Sequence, residues 1–306
     1  IVGDNGKIIG EGYHRRCGEG HAEVNAIASV KDRSQLSRST IYVTLEPCAH
    51  YGKTPPCARL IIDSGIPRVV IGCQDPFAKV SGRGIAMLRD AGIEVVTGLL
   101  EQECVALNRR FMTAHTLCRP FVTLKWAQST DGYMDIKRTP DGIPAKFSTV
   151  LGSTLVHRLR SLHDAITTGS GTIEYDRPRL DTRYWPGGRC PQKIINDRSG
   201  RIPESYDAKI LHEQDTASFL HRLYERNISS VLVEGGAALL QSFIDNDLWD
   251  DMRIETAPVS LGSAGGTKAP VITHGYGMIT PHTVEQIGGN SVSHYINLHS
   301  FGVKNL

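Results

Sequence analysis

The sequence predicts two unlike α/β domains in tandem. Three observations predict it. The chain has 306 residues, long for one domain at about 100 to 200 residues each. Short β-branched runs alternate with stretches of helical apolar spacing in both halves. A stretch over 113–120, ending at a proline, separates the two series and reads as a linker between domains 1–118 and 119–306.

In the first half, 40–45 (TIYVTL), 68–72 (RVVIG) and 93–97 (IEVVT) are short, branched and bounded by Gly or Pro, which favours buried strands. Helical spacing occupies 21–30, 57–64 and 84–91, and 99–111 reads as a closing helix. In the second half, strands are expected at 121–127, 164–168, 193–196, 231–234 and 252–257, and helices at 149–162, 216–226 and 237–244. The segment 272–298 is β-like, and no unit is repeated between the halves.

Composition narrows the function. Lys plus Arg number 34 against 32 Asp plus Glu, a formal charge of +2, so no basic excess points to nucleic acid. Apolar residues at 40% and charged residues at 22% are ordinary globular usage, and no run approaches a membrane span. Seven scattered cysteines in a chain of this size favour a reducing compartment, with metal or catalysis as the reason for any that matter. The opening Ile1-Val2-Gly3 carries neither a charged nor an apolar leader region, so no targeting peptide is expected.

The first chemical constellation is His21-Ala22-Glu23 at a helix start, Pro47-Cys48 after a strand, and Cys57 after Pro55-Pro56 at the next helix start. Three N/S ligands leave the fourth position of a tetrahedral zinc open, as catalysis requires. Cys57 in a first helical turn would gain thiolate character from the helix dipole. Glu23, beside the metal without being needed as a ligand, is placed to move protons between water and a substrate nitrogen. The zinc deaminases carry H-x-E followed by P-C-x-x-C. Here the cysteines are further apart, and the loop between them holds His50 and Lys53, a pairing suited to a phosphorylated substrate. Two buried thiols and an unrelated histidine are the bland alternative.

The second half has no G-x-G-x-x-G after a strand, which argues against a Rossmann domain. Instead Val231-Leu232-Val233-Glu234-Gly235-Gly236 ends a buried strand in Glu and two glycines before a helix, whose first N–H groups can bind phosphate. Gly169-Ser170-Gly171 and 262–266 are Gly-rich and read, taken alone, as ordinary turns.

The run HAE, PCAHYGKTPPC and Cys73-Gln74-Asp75-Pro76 resembles the deaminase half of the bifunctional riboflavin-biosynthesis deaminase/reductase family, of RibD or RibG type. KWAQSTDG at 125–132, residues 167–180 and VEGG at 233–236 resemble its reductase half. The resemblance implies a cytidine-deaminase-like three-layer domain followed by a dihydrofolate-reductase-like α/β domain. It implies zinc on His21, Cys48 and Cys57, Glu23 as proton shuttle, and ribosyl-phosphate substrate contacts at His14, His50, Lys53 and Asp75. NADPH contacts would fall on Ala127, Phe147, Thr172, Asp176, Arg198 and Gly236. Reductase substrate contacts would fall on Ala145, Arg160, Leu180, Arg183 and Glu234, with Lys125 near the reacting ribose; Lys125 and Glu234, charged residues on strands with apolar neighbours, are expected to be catalytic for reduction without holding the fold together. Arg160 and Arg183 suit phosphate because guanidinium binds it bidentately, although Arg160 alone could be a solvated helix charge, and Lys125 with Glu234 a structural ion pair. The family's helix and Asn-Pro turn before the first strand have no counterpart here, which bears on the pyrimidine pocket. The implied protein is a cytoplasmic homo-oligomer, dimer or tetramer, acting on a phosphorylated pyrimidine ribosylamine, with no nucleic-acid or membrane partner. The alternatives are a zinc nucleic-acid deaminase or nucleic-acid-binding protein, and a reductase carrying a noncatalytic zinc scaffold.

Overall fold

A computed structural model of the chain describes residues 1–16, 18–51, 55–76, 81–139, 142–203, 205–272 and 281–297. It divides into two compact units, Ile1–Thr116 and Leu117–Leu306. No helix among the described residues is long and apolar enough to cross a membrane.

The first unit contains α1 (Ala22–Ser29), β1 (Thr40–Leu45), α2 (Cys57–Asp63), β2 (Arg68–Cys73), α3 (Arg83–Asp90), β3 (Glu94–Thr97), α4 (Glu101–Leu107) and α5 (Arg109–Leu117). The three strands form a parallel sheet in the order β1-β2-β3, and Val2 adds an antiparallel bridge to Thr40. Central β2 is buried from Val69 to Cys73, as a strand covered on both faces must be. Val69 and Ile71 join Ile27, Ala58, Ile61 and Leu88 in the core made by α1, α2 and α3. Gly72 points to the opposite face, where α4 packs on β2. A Cβ there would fall 2.2 Å from Cys104 Sγ, so only glycine admits α4 at this distance. The result is three layers, helices on both faces of one sheet.

The second unit contains β4 (Phe121–Gln128), β5 (Tyr133–Ile136), α6 (Val150–Ser161), β6 (Ala165–Thr167), α7 (Ser170–Asp176), β7 (Gln192–Asn196), β8 (Lys209–Leu211), α8 (Thr216–Glu225), β9 (Ser230–Glu234), α9 (Ala237–Asp245), β10 (Asp251–Thr256), β11 (Gly265–Lys268), β12 (Thr283–Ile287) and β13 (Asn290–Ile296). Eight strands run in the order β12-β13-β10-β4-β9-β6-β7-β8, while β5 and β11 form a separate antiparallel pair. The six strands from β10 to β8 are parallel, and β13 and β12 close that edge antiparallel. Trp126, Phe219, Phe243 and Trp249 anchor the larger core, with Val231 and Val233 of β9. Leu232, between them, faces the other core with Ile166 and Ile195.

Three expectations are corrected. The closing helix expected over 99–111 is two helices broken at Asn108. Residues 113–117 of the expected linker are the last turns of α5, because Met112, Thr113 and Ala114 are buried. Gly169-Ser170-Gly171 is the start of α7 and not a turn.

Candidate active sites

His21 is the N-cap residue of α1, its extended backbone turning the imidazole out of the helix start. Cys48 follows β1 by three residues, and Cys57 opens α2 after Pro56. His21 Nδ1 lies 3.6 Å from Cys48 Sγ and 3.3 Å from Cys57 Sγ, and the three ligand atoms all lie within 4.8 Å of one another. A tetrahedral zinc with ordinary Zn–S and Zn–N lengths would separate N and S by about 3.6 Å. The donors therefore fit zinc without rearrangement. The Cys57 backbone N–H, at the start of α2, donates to Cys48 Sγ at 3.3 Å. The hydrogen bond from the Cys57 thiol and this amide hold the Cys48 pKa down to about 5, with His21 adding to the effect; the same proton sharing pushes Cys57 up. Glu23, in the first turn of α1 and 8% exposed, has its pKa raised by burial, and its side chain hydrogen-bonds with Cys57.

The His14 ring centre is 5.2 Å from that of His21, which puts one expected substrate contact beside the cluster. His50 is exposed, and Lys53 lies outside the described residues. Asp75 is buried, and its backbone N–H donates to Glu46. Sequence reasoning missed Glu46, a carboxylate 3% exposed directly before Pro47-Cys48.

In the second unit a cleft of about 920 Å³ opens at the C-terminal ends of β4, β9 and β6, the position where parallel sheets bind ligands. Its walls include Lys125, Ala127, Ala145, Phe147, Arg160, Thr172, Asp176, Leu180, Arg198, Glu234 and Gly236. Arg183 is not in the wall: its guanidinium pairs with Asp181 at 2.6 Å and lies over the Tyr184 ring. Lys125 is in register with Glu234 on one side and Arg253 on the other. Burial holds its pKa down against the pull of Glu234, with Arg253 adding to the depression.

Glu234 is paired with Arg160 rather than with Lys125. Arg160 Nε and Nη2 donate to its two oxygens at 2.8 and 2.7 Å, and Arg160 Nη1 donates to the Asp181 carbonyl at 2.9 Å. Arg160 is thus neither a solvated helix charge nor a guanidinium with all its donors free. Burial would raise the Glu234 pKa, but the charge and hydrogen bonds of Arg160, helped by Lys125, lower it. Asp176 is likewise engaged, by Arg138, which also pairs with Asp135 at 2.6 Å; Arg138 went unnoticed in the sequence.

The cleft suits a dinucleotide. Gly235 and Gly236 both have positive φ, +66° and +71°, and a Cβ on Gly236 would sit 3.2 Å from Thr172 Oγ1 and 3.5 Å from the Gly169 backbone. This leaves a glycine-lined cradle at the start of α9, where N–H groups face an anion. Thr168 Oγ1 is buried there with no hydrogen-bond partner among the described residues, a vacant donor for a ligand. Arg198, whose Nη1 donates to the Gln214 carbonyl at 3.4 Å, adds positive charge to the wall.

Fold and sites together define a cytidine-deaminase-type zinc domain joined in one chain to a dihydrofolate-reductase-like, NADPH-dependent reductase domain. Comparison with known proteins agrees: the family model "Cytidine and deoxycytidylate deaminase zinc-binding region" matches residues 1–73, and "RibD C-terminal domain" matches 120–288. The chain belongs to the RibD family of riboflavin-biosynthesis proteins. Riboflavin biosynthesis protein RibD of Bacillus amyloliquefaciens is 36% identical over 313 residues, covering 90% of this chain and 81% of the relative. A Thermotoga maritima crystal structure, described as a diaminohydroxyphosphoribosylaminopyrimidine deaminase/5-amino-6-(5-phosphoribosylamino)uracil reductase, superposes with a TM-score of 0.82 at 34% identity. That match covers 96% of this chain and 89% of the other. Acinetobacter baumannii RibD superposes at 0.85 with 30% identity, covering 96% and 90%.

Proposed function

We propose that this chain catalyses two consecutive steps of riboflavin biosynthesis. Residues 1–118 hydrolytically deaminate 2,5-diamino-6-(5-phosphoribosylamino)pyrimidin-4(3H)-one. Residues 119–306 then reduce the ribosyl group with NADPH, giving 5-amino-6-(5-phosphoribitylamino)uracil. The observation that carries this reading is one chain holding a His/Cys/Cys cluster beside a buried, unligated carboxylate and a cleft floored by Lys125 and Glu234.

His21 Nδ1, Cys48 Sγ and Cys57 Sγ would hold the zinc, which would supply Lewis acidity to a water. Glu23 takes a proton from the attacking water and returns it to the departing amino nitrogen, which leaves as ammonia. His14, His50, Lys53 and Asp75 hold the phosphorylated ribosylamine. In the second unit NADPH, when bound, would supply the hydride. Ala127, Phe147, Thr172, Asp176, Arg198 and the Gly236 cradle bind the dinucleotide; Ala145, Arg160 and Leu180 bind the sugar phosphate. Lys125, a stronger acid than a free lysine because it is buried, polarises the sugar carbonyl or Schiff base at the carbon that accepts hydride. Glu234 orients Arg160 and lies beside Lys125. The reading also carries a cytoplasmic homo-oligomer, dimer or tetramer, which sedimentation measures.

The test is incubation with the diaminopyrimidine ribosylamine phosphate, with and without NADPH. Ammonia release should not require NADPH, and loss of nicotinamide absorbance should follow it. Oxidation of NADPH without ammonia release would leave only a reductase on a zinc scaffold.

A further inference from the structure

Glu46 has no counterpart among the zinc ligands or the expected substrate contacts, yet its carboxylate accepts four backbone hydrogen bonds. Its Oε2 accepts from the backbone N–H of Asp75 at 3.3 Å and of Gly82 at 3.0 Å. Its Oε1 accepts from Gly84 at 2.9 Å and Ile85 at 3.3 Å. Gly82, the N-cap residue of α3, offers no side chain to the helix start, so Glu46 supplies that cap from 36 to 39 residues away. The Glu46 backbone N–H donates to the Cys73 carbonyl at 3.0 Å. Both the main chain and the side chain are therefore fixed two residues before Cys48. A second observation points the same way. A Cβ on Gly84 would fall 2.0 Å from the Pro47 carbonyl oxygen and 3.2 Å from Glu46 Oε1, so the first turn of α3 rests directly on the residue before the ligand.

We propose that Glu46 is a positioning residue for the zinc site, clamping the Glu46-Pro47-Cys48 segment to the start of α3 and so fixing where the Cys48 sulfur is presented. The inference rests on the reading that His21, Cys48 and Cys57 hold zinc. A carboxylate suits the role because all four of its partners donate; an amide of the same shape would turn an NH2 group against two of them. The outer partners of metal ligands set affinity by holding the ligand in place, and losing one weakens binding about 10-fold to 100-fold.

The experiment is zinc release from the full, zinc-loaded chain to a chromogenic chelator under native conditions. It compares the unmodified protein, Glu46→Gln, Gly84→Ala and Leu88→Ala. Leu88 is fully buried on α3, so Leu88→Ala destabilises the same helix without altering the carboxylate cage. Glu46→Gln and Gly84→Ala should release zinc about 10-fold to 100-fold faster, Leu88→Ala distinctly more slowly than either, and NADPH binding should be unchanged in all. Release from Glu46→Gln at the unmodified rate, or no faster than from Leu88→Ala, would overturn the proposal. Gly84→Ala reads the cage with Glu46 intact and decides the matter where Glu46→Gln fails to fold. An unmodified chain holding no zinc overturns the underlying zinc reading, a result distinct from both.

Discussion

Two buried glutamates in this protein are pushed in opposite directions. Burial raises the proton affinity of Glu23; Glu234 is just as buried, but the Arg160 guanidinium lowers its own. The first is suited to proton traffic, so Glu23→Gln should retain about one zinc per chain and lose ammonia release, read by metal analysis beside an ammonia assay. Normal deamination would exclude Glu23 as the shuttle. The second supports the fold. Because its folded pKa is depressed, Glu234 contributes stability that is present above the unfolded value of about 4.3 and is lost as pH falls through the folded one. Glu234→Gln should therefore cost unit two about 3 to 5 kcal/mol at neutral pH by leaving Arg160 without its counter-charge. It should also flatten the acid limb of the thermal-unfolding profile. Lys125 obeys the opposite sign: burial depresses its pKa, so its charge costs stability. Lys125→Met should keep the melting temperature and NADPH affinity while turnover falls about 100-fold or more. A large fall in melting temperature with activity retained would mark Lys125 as structural. Histidine, cysteine and glutamate were legible as a site because metal chemistry restricts which residue types can stand there. The Arg160–Glu234 pair spans 74 residues, and the Glu46 cage closes over 29 to 39. No local pattern encodes either.

At the scale of elements, legibility followed how far a segment is governed by its own period. Buried strands such as β2 and β9 read directly from branched residues bounded by Gly or Ser. The segment 113–117 has the composition of a linker, but tertiary burial of Met112, Thr113 and Ala114 extends α5 through it. Helix α7 begins Ser170-Gly171-Thr172, residues of low helix propensity that read as a turn. They form a helix because Ile173 is buried and Ser170 donates to Asp197 at 3.1 Å. The glycines at the start of α9 gave the opposite case, since their meaning was local. Gly236→Ala places a Cβ 3.2 Å from Thr172 Oγ1 at a φ of +71°, a left-handed conformation costing about 1 to 2 kcal/mol for a non-glycine residue. NADPH binding should weaken more than stability alone explains, because the same Cβ narrows the cradle. Titration of NADPH fluorescence checks this, and an unchanged Kd would place the dinucleotide elsewhere in the cleft.

At the scale of the molecule, the two chemistries are written into separate stretches of chain. Every zinc donor lies between His21 and Cys57 in the first unit, and every residue of the cleft wall lies between Lys125 and Thr267 in the second. Among the described residues each unit has its own sheet and its own core. The two-domain plan was legible because the series of strands and helices restarts at Phe121. The strand order β10-β4-β9-β6-β7-β8 was not, because sequence order says nothing of which buried strand lies beside which. That order sets Lys125 between Glu234 and Arg253 and so makes the reductase floor. The activities should accordingly separate. Cys48→Ser removes one of three donors, so zinc content should fall and ammonia release should vanish, while reduction of supplied deaminated substrate by NADPH should proceed at the unmodified rate. The converse variant, Lys125→Met, should release ammonia normally and accumulate the deaminated ribosylamine phosphate. Measured together on the full chain, loss of both activities in either variant would show that the two reactions depend on one shared site.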